Sequence, residues 1–485
     1  LLVVSLDNTI LNVALPTLVR ALHASASDLQ WIVDAFTIVY AGMVITAGSL
    51  GDRFGRRGAL LVGLAVFGVG SGLSAFSTSP GELIGFRFLM GLGGAFVLPS
   101  TLSILTNVFS NPRERGKAIG IWSGTSGLGI AIGPIVGGWL LAHFWWGSVF
   151  LVNVPIVVLG LVAITLLVPD SADPSPRRPD PVGTVLSIAG LTVLLYGVIQ
   201  APVDGWGSAP VVAAVLGGLA TLAGFVAWEI HCDHPMLRME FFADRRFSAA
   251  GVSVMLVFFS LFGAMFLLTQ YLQSVLGYDA LQAGLRIAPV ALVLGVAAPA
   301  SAVLARHLGT KVVVVAGLVS VTIGLLLLTD LSPSSGYTPV LIAIMILGLG
   351  IGLALAPATD SMMGSLPGAQ AGVGSAINST MIEVGGALGV GILGSILNAR
   401  YRGKVTAGLK GHAVPPVALH AIESSLGGAL VVARMVGGSS GRLLTELARS
   451  SFTSGVNLAD MVGVAVAMLG ALVAVAFLPQ RGRNS

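Results

Sequence analysis

The chain has 485 residues, and its 25 basic and 21 acidic side chains make up only 9% of it, where a soluble protein carries roughly a quarter. Hydrophobic residues reach 55% and the mean hydropathy is +0.93. So few charges cannot cover a water-exposed surface, which excludes a soluble enzyme, a disordered chain and a secreted disulfide scaffold and leaves an all-α polytopic membrane protein.

A bilayer core needs about 20 apolar residues per helix, and windows of that length predict fourteen spans. The first six lie at 1–19, 29–50, 59–77, 82–108, 116–141 and 148–168. Two follow at 182–201 and 209–231. The last six lie at 247–275, 280–305, 312–330, 338–363, 370–397 and 456–478. The chain starts at Leu1, so a native N-terminus further upstream is expected and the first span reads as truncated.

Ionisable residues inside spans are costly and usually face a cavity. Span 1 holds Asp7, thirteen residues before Arg20, about 20 Å along a helix and so near mid-depth. Asp34 sits about two turns inside the outer end of span 2. The turn Gly48-Ser49-Leu50-Gly51-Asp52-Arg53-Phe54-Gly55-Arg56-Arg57 follows, with glycines that permit close helix approach and an aspartate able to pair with a basic group. Span 4 carries Arg87, and span 5 carries Gly129, Gly133, Pro134, Gly137 and Gly138. Small residues four apart let helices pack backbone to backbone, and the proline bends its helix; ordinary tight packing is the plainer reading of this stretch. The Pro-rich linker 169–181 leads to the two central spans. Arg286 lies in span 10, Asp360 close to the inner end of span 12, and Glu383 about twelve residues into span 13. The segment 398–455 is expected to form a long external loop, with 416–435 and 440–452 as amphipathic helices resting on the surface.

Lysine and arginine set the orientation. The loops after spans 2, 4, 6, 8 and 10 and the C-terminal tail hold fifteen basic residues, from Arg53 to Arg483, against Arg20 alone in the short loops on the other side. Both termini are therefore expected in the cytoplasm, and no nucleic-acid partner is implied. A faint repeat relates Gly91-Leu92-Gly93 with Pro99 to Gly348-Leu349-Gly350 with Pro357, and Asp52–Arg57 to Arg306–Lys311. The simplest partition is a six-helix bundle over 1–168, two inserted helices with linkers over 169–246, and a second six-helix bundle over 247–485. Repeated bundles around a midplane site are common in secondary transporters.

The 48–57 turn matches G-x-L-x-D-R-x-G-R-[RK] and resembles the loop signature of the major facilitator superfamily, where it latches the two bundles in one state of alternating access. Three segments resemble signatures of the fourteen-span drug:proton antiporters: Leu6–Pro16, Arg87–Ala95 (with Met90 for the usual Gln), and the antiporter motif Gly129–Gly138. The strings Gln30–Asp34 and Phe150–Pro155 add to the match, which is closest to quaternary-ammonium pumps of the QacA type. The resemblance implies the major facilitator fold and gating roles for Gly48, Asp52, Arg53, Gly55, Arg56, Arg57 and the span-5 glycines and proline. It links acids at the positions of Asp7, Asp34 and Glu383 to proton coupling or cation recognition. Some relatives carry a further acid midway along span 10, where Val290–Gly295 has none, which speaks against dications.

The residues themselves allow both readings. A carboxylate in a low-dielectric setting can hold a proton and give it up to a cation or to water, and Arg87 is expected to line the cavity and tune a neighbouring carboxylate. Against this, Asp7 can be a structural acceptor for Asn8, Asn12 or Arg87, Asp34 can be interfacial, and Arg87 can anchor beside Glu82. Trp31, Tyr40, Trp122, Phe262, Phe266 and Met381 are candidates for an apolar pocket suited to lipophilic cations, or plain packing residues. No Gly-x4-Gly-Lys-[Ser/Thr] string occurs, and neither cysteine count nor histidine spacing suits a metal. No cofactor, metal or catalytic residue is expected.

The expected function is a proton-driven multidrug antiporter, monomeric among the lipids of a bacterial plasma membrane, that exports lipophilic and cationic compounds. The rivals are an exporter of a lipid or endogenous metabolite, and a non-transporting receptor or scaffold.

Overall fold

The computed structural model describes residues 2–109, 112–171, 179–235, 237–365, 371–412 and 414–478. Local chemistry starts and stops the helices. α1 (Leu2–Leu22) and α2 (Ala26–Phe54) are separated by Ser25, whose hydroxyl accepts from the Asp28 amide while the Asp28 carboxylate accepts from the Ser25 amide. Gly55, at φ 111°, ends α2 and begins α3 (Arg56–Ala75), a backbone conformation that only glycine adopts cheaply. Ser79 caps α4 (Pro80–Val108), which begins on a proline. α5 (Pro112–His143), α6 (Ser148–Leu151) and α7 (Asn153–Leu167) complete the first group.

The central pair is α8 (Pro181–Asp204) and α9 (Ala209–His231), followed by the short α10 (Glu240–Ala243). The second group begins with α11 (Arg245–Gln270), which ends in a π-turn over Tyr271–Val275. α12 (Ala280–Ile287), α13 (Pro289–Leu308) and α14 (Thr310–Leu328) follow, with Gly309 at φ 89° playing the part of Gly55. α15 (Tyr337–Met363), α16 (Ala371–Gly408), α17 (Pro416–Ser424), α18 (Leu426–Val436) and α19 (Gly438–Phe477) close the chain.

Thirteen helices among the described residues are long and apolar enough to cross a bilayer. The remaining predicted span, 116–141, falls on α5, many of whose side chains lie outside the described residues. Side chains such as Leu159, Leu166, Leu292 and Val296 point outward unshielded, as they do when the surrounding solvent is lipid. α2, α3 and α4 pack together, as do α1 and α5; in the other half α11, α15, α16 and α19 form one cluster and α13 and α14 join α15.

The segment 398–455 differs from the expected loop. α16 and α19 run on well past the predicted ends of their spans, and 440–452 is part of the continuous 40-residue α19. Only 416–435 forms separate helices, α17 and α18. They are packed rather than resting free: the Tyr401 hydroxyl donates to the Ile422 carbonyl at 2.8 Å, Thr406 donates to Glu423 at 2.7 Å, and Gly427 abuts Val19 of α1. Hydropathy windows miss such extensions because polar helix outside a membrane has no apolar signal. The C-terminal Arg481 and Arg483, and Arg177 and Arg178 of the Pro-rich linker, lie outside the described residues.

Candidate functional site

The two halves enclose a cavity of about 270 Å³. Asn8 and Asn12 of α1 and Tyr40 of α2 line it from the first half; Phe258, Phe262 and Met265 of α11, Leu294 of α13 and Glu383 of α16 line it from the second. Glu383 is the one charged residue among the described lining residues. Its Oε2 is buried and has no hydrogen-bond partner among the described residues. An apolar, aromatic wall around a lone carboxylate suits a lipophilic cation, which gains ring contacts and a counter-charge together.

Of the other pocket candidates, Tyr40 and Phe262 reach the cavity. Phe266 is buried in the core, Trp31 packs toward Leu195 and Ile199 of α8, and Met381 packs into the second half near Gly251. None of these three lines the cavity, since the helical face they occupy meets a neighbouring helix instead. The Trp122 side chain lies outside the described residues. Sequence reading passed over the polar lining of Asn8, Asn12, Thr269 and Ser379, because short polar residues in an apolar span carry little hydropathy signal.

Asp7 and Arg87 are displaced from the expected place. Both are 1% exposed and they pair directly, Arg87 Nη1 donating to Asp7 Oδ2. Asn153 donates to Asp7 Oδ1 and to Ser71, each at 3.0 Å, and Ser71 donates to the Phe150 carbonyl at 2.8 Å. Arg87 Nε donates to the Ile32 carbonyl at 3.0 Å, and its guanidinium lies 4.8 Å from the Phe36 ring centre. Neither residue lines the cavity. The network knits α1, α2, α3, α4 and α7, so Arg87 is a packing centre of the first half rather than a cavity wall.

Asp34 is fully buried, and neither carboxylate oxygen has a hydrogen-bond partner among the described residues. It faces α16, where a Cβ added at Gly391 would sit 3.5 Å from its Oδ2. The residue is therefore inter-bundle, between α2 and α16, rather than interfacial or cavity-lining. Asp460 of α19 was missed: it is 1% exposed with Oδ1 unpartnered among the described residues. Its signal was available, since it is the one acidic residue in the window 456–478.

The glycine stripe of α5 has two faces. Gly129, Gly133 and Gly137 let α1 approach, and the Thr9 hydroxyl donates to the Gly129 carbonyl at 3.3 Å. Gly138 faces the other half, where an added Cβ would lie 2.5 Å from Leu281 Cα. Gly284 of α12 in turn presses against the Pro134 carbonyl. The stripe thus does more than pack its own bundle; it forms the α5–α12 contact between halves.

The 48–57 turn makes different contacts from those of a latch across the bundles. Arg56 Nε pairs with Asp52 at 2.7 Å, the Arg56 amide donates to the Ser171 carbonyl at 2.8 Å, and Arg57 donates to the Thr165 carbonyl. Gly48 approaches Pro99, and Gly55 approaches Asp170. Arg53 lies 5.5 Å from the Phe54 ring. Every one of these partners belongs to the first half or the linker that follows it.

Comparison with known proteins places these features. Residues 1–390 match the model of the Major Facilitator Superfamily. The chain is 38% identical to the multidrug efflux pump LfrA of Mycolicibacterium smegmatis, covering 98% of this chain and 94% of that protein. It is 35% identical to the tetracenomycin C resistance and export protein of Streptomyces glaucescens, over 98% and 89% respectively. A bacterial homologue of the human lysosomal transporter Spinster, in an inward-facing and occupied conformation, superimposes with a TM-score of 0.71 at 17% identity, covering 100% of this chain and 96% of that one; that likeness concerns the fold.

Proposed function

The chain belongs to the major facilitator superfamily, and from that premise we propose that it is a proton-coupled antiporter exporting lipophilic, cationic drugs by alternating access. The relatives that are named for multidrug efflux and for tetracenomycin export support drug extrusion as the task. The observation that carries the reading is Glu383, a lone carboxylate in the wall of an aromatic cavity between the two halves. When it is ionised it attracts a cation from the lipid or the cell interior; when a proton arrives from outside it no longer does, and the drug leaves. The same group cannot serve both ligands at once, which is what exchange requires. One proton in for one monovalent cation out moves no net charge, so the pH difference, about 1.4 kcal/mol per unit, drives the exchange and no cofactor is called for.

The excess of basic residues beside the 52–57 turn supports a plasma-membrane orientation with that turn in the cytoplasm. The halves then meet on the outer side, through α5 with α12 and α2 with α16, which supports an inward-facing state. We take the protein to work as a monomer in its lipid surroundings and as a transporter rather than an enzyme. Glu383→Gln tests the function: in inverted vesicles, proton-driven uptake of a fluorescent lipophilic cation should fall at least tenfold with membrane insertion and melting behaviour unchanged. Uptake at the wild-type rate would falsify the assignment.

A further inference from the structure

Two glutamines, Gln30 at the head of the Gln30–Asp34 string and Gln273 outside every quoted motif, join the halves through hydrogen bonds running in opposite directions. Gln30 of α2 is fully buried, and its Nε2 donates to the Gly391 carbonyl of α16 at 2.9 Å and to the Val390 carbonyl at 3.3 Å. The same Nε2 lies 3.4 Å from the Ser395 hydroxyl, which itself donates to the Val198 carbonyl of α8 at 2.8 Å. Gln273, in the π-turn after α11, returns the gesture: its Nε2 donates to the Val13 carbonyl of α1 at 2.8 Å. Each half therefore supplies one primary amide to the other half's backbone. The contact is moulded to fit, since a Cβ on Gly394 would fall 2.5 Å from Gln30 Nε2.

We infer that Gln30 and Gln273 are positioning residues that together hold the halves closed on the side away from the 52–57 turn. The inference rests on the alternating-access reading above. A carboxamide neither gains nor loses a proton near neutral pH, so the latch has a strength independent of pH and leaves the response to protons to the carboxylates. Its seat is linked to one of them by a single rigid element. Gly391 lies eight residues from Glu383 on α16, about 12 Å along the helix, so a shift of α16 that accompanies a change at Glu383 moves the carbonyls that Gln30 holds. On opening, both amides exchange a backbone acceptor for water. A net hydrogen bond of ordinary strength then makes each glutamine worth about a two- to tenfold bias toward the closed side.

The test reads that bias directly. In a Cys232→Ser background, Asn12→Cys places a thiol on the cavity wall, and a membrane-impermeant maleimide is applied from the outer side of right-side-out vesicles. Gln30→Met and Gln273→Met, which keep volume but remove the donor, should each raise the labelling rate two- to tenfold, and the double variant should multiply the two effects. A purely structural role would lower the melting temperature without raising this rate. Where a methionine variant does not insert, Gln30→Asn or Gln273→Asn, too short to reach the carbonyl, takes its place. Unchanged or slower labelling in the properly folded variants overturns the inference. The measurement uses neither drug nor gradient, so it can fail while the Glu383→Gln efflux test succeeds, and the reverse.

Discussion

Replacing Asp7 by asparagine separates a structural role from a coupling role. Asp7 and Arg87 are buried together, and removing one partner of such a pair leaves a charge without its counter-charge, at a cost of about 3–5 kcal/mol. Here Arg87 keeps the Ile32 carbonyl at 3.0 Å and the Phe36 ring at 4.8 Å, and the new amide still offers Asn153 an acceptor. The loss should therefore fall at the lower end, about 3 kcal/mol, or roughly a hundredfold in the unfolding equilibrium. Thermal unfolding of purified Asp7→Asn in detergent, followed by tryptophan fluorescence, measures it. The double variant Asp7→Asn/Arg87→Met removes both charges and should recover much of the loss, because no unpaired charge is then left buried. Efflux measured beside stability decides the role: activity that returns with the fold marks Asp7 as structural, and a stable but inactive double variant marks it as part of coupling. A single variant as stable as the wild type would refute the energetic argument, and so would a double variant no more stable than the single one.

Two other perturbations follow from the contacts between halves and from the turn. Gly284→Ala puts a methyl group against the Pro134 carbonyl, and because both atoms are backbone-fixed the overpacking should cost about 1–3 kcal/mol of closure rather than of folding. Labelling of a cavity cysteine from the outer side should rise while melting stays within a few degrees; a large drop in melting with no change in labelling would count against it. Asp52→Asn breaks a part-exposed bridge to Arg56, worth less than about 1 kcal/mol. The protein should keep its stability, and the latch that the superfamily resemblance implies for this turn in the opposite state predicts slower drug turnover. Full turnover in reconstituted vesicles would show that the turn has no such part.

The spans were legible because each is a long apolar run bounded by glycine, proline, a capping serine or aspartate, or a basic residue. Even the Gly55 and Gly309 corners, with φ of 111° and 89°, could be matched as echoes in the linear text. The close packing of the span-5 glycines was legible too, since a stripe of small residues demands a close neighbour. The helices of 398–455 were not: α16 and α19 continue into polar sequence that looks like loop when hydropathy is the only guide.

By itself the sequence determined a polytopic helical membrane protein, the order of its apolar runs, its charge asymmetry and which spans carry Asp7, Asp34, Arg87 and Glu383. Tertiary structure decided which way each of those side chains faces. Depth along a helix follows from counting residues at 1.5 Å each, but the direction a side chain points has meaning only once the neighbouring helix is known. The neighbours come from far away in the chain: Arg87 is 80 residues from Asp7, and Gly391 is 361 residues from Gln30. Packing thus assigned Asp7 to an ion pair, Asp34 to the seam between halves, and Glu383 alone to the cavity.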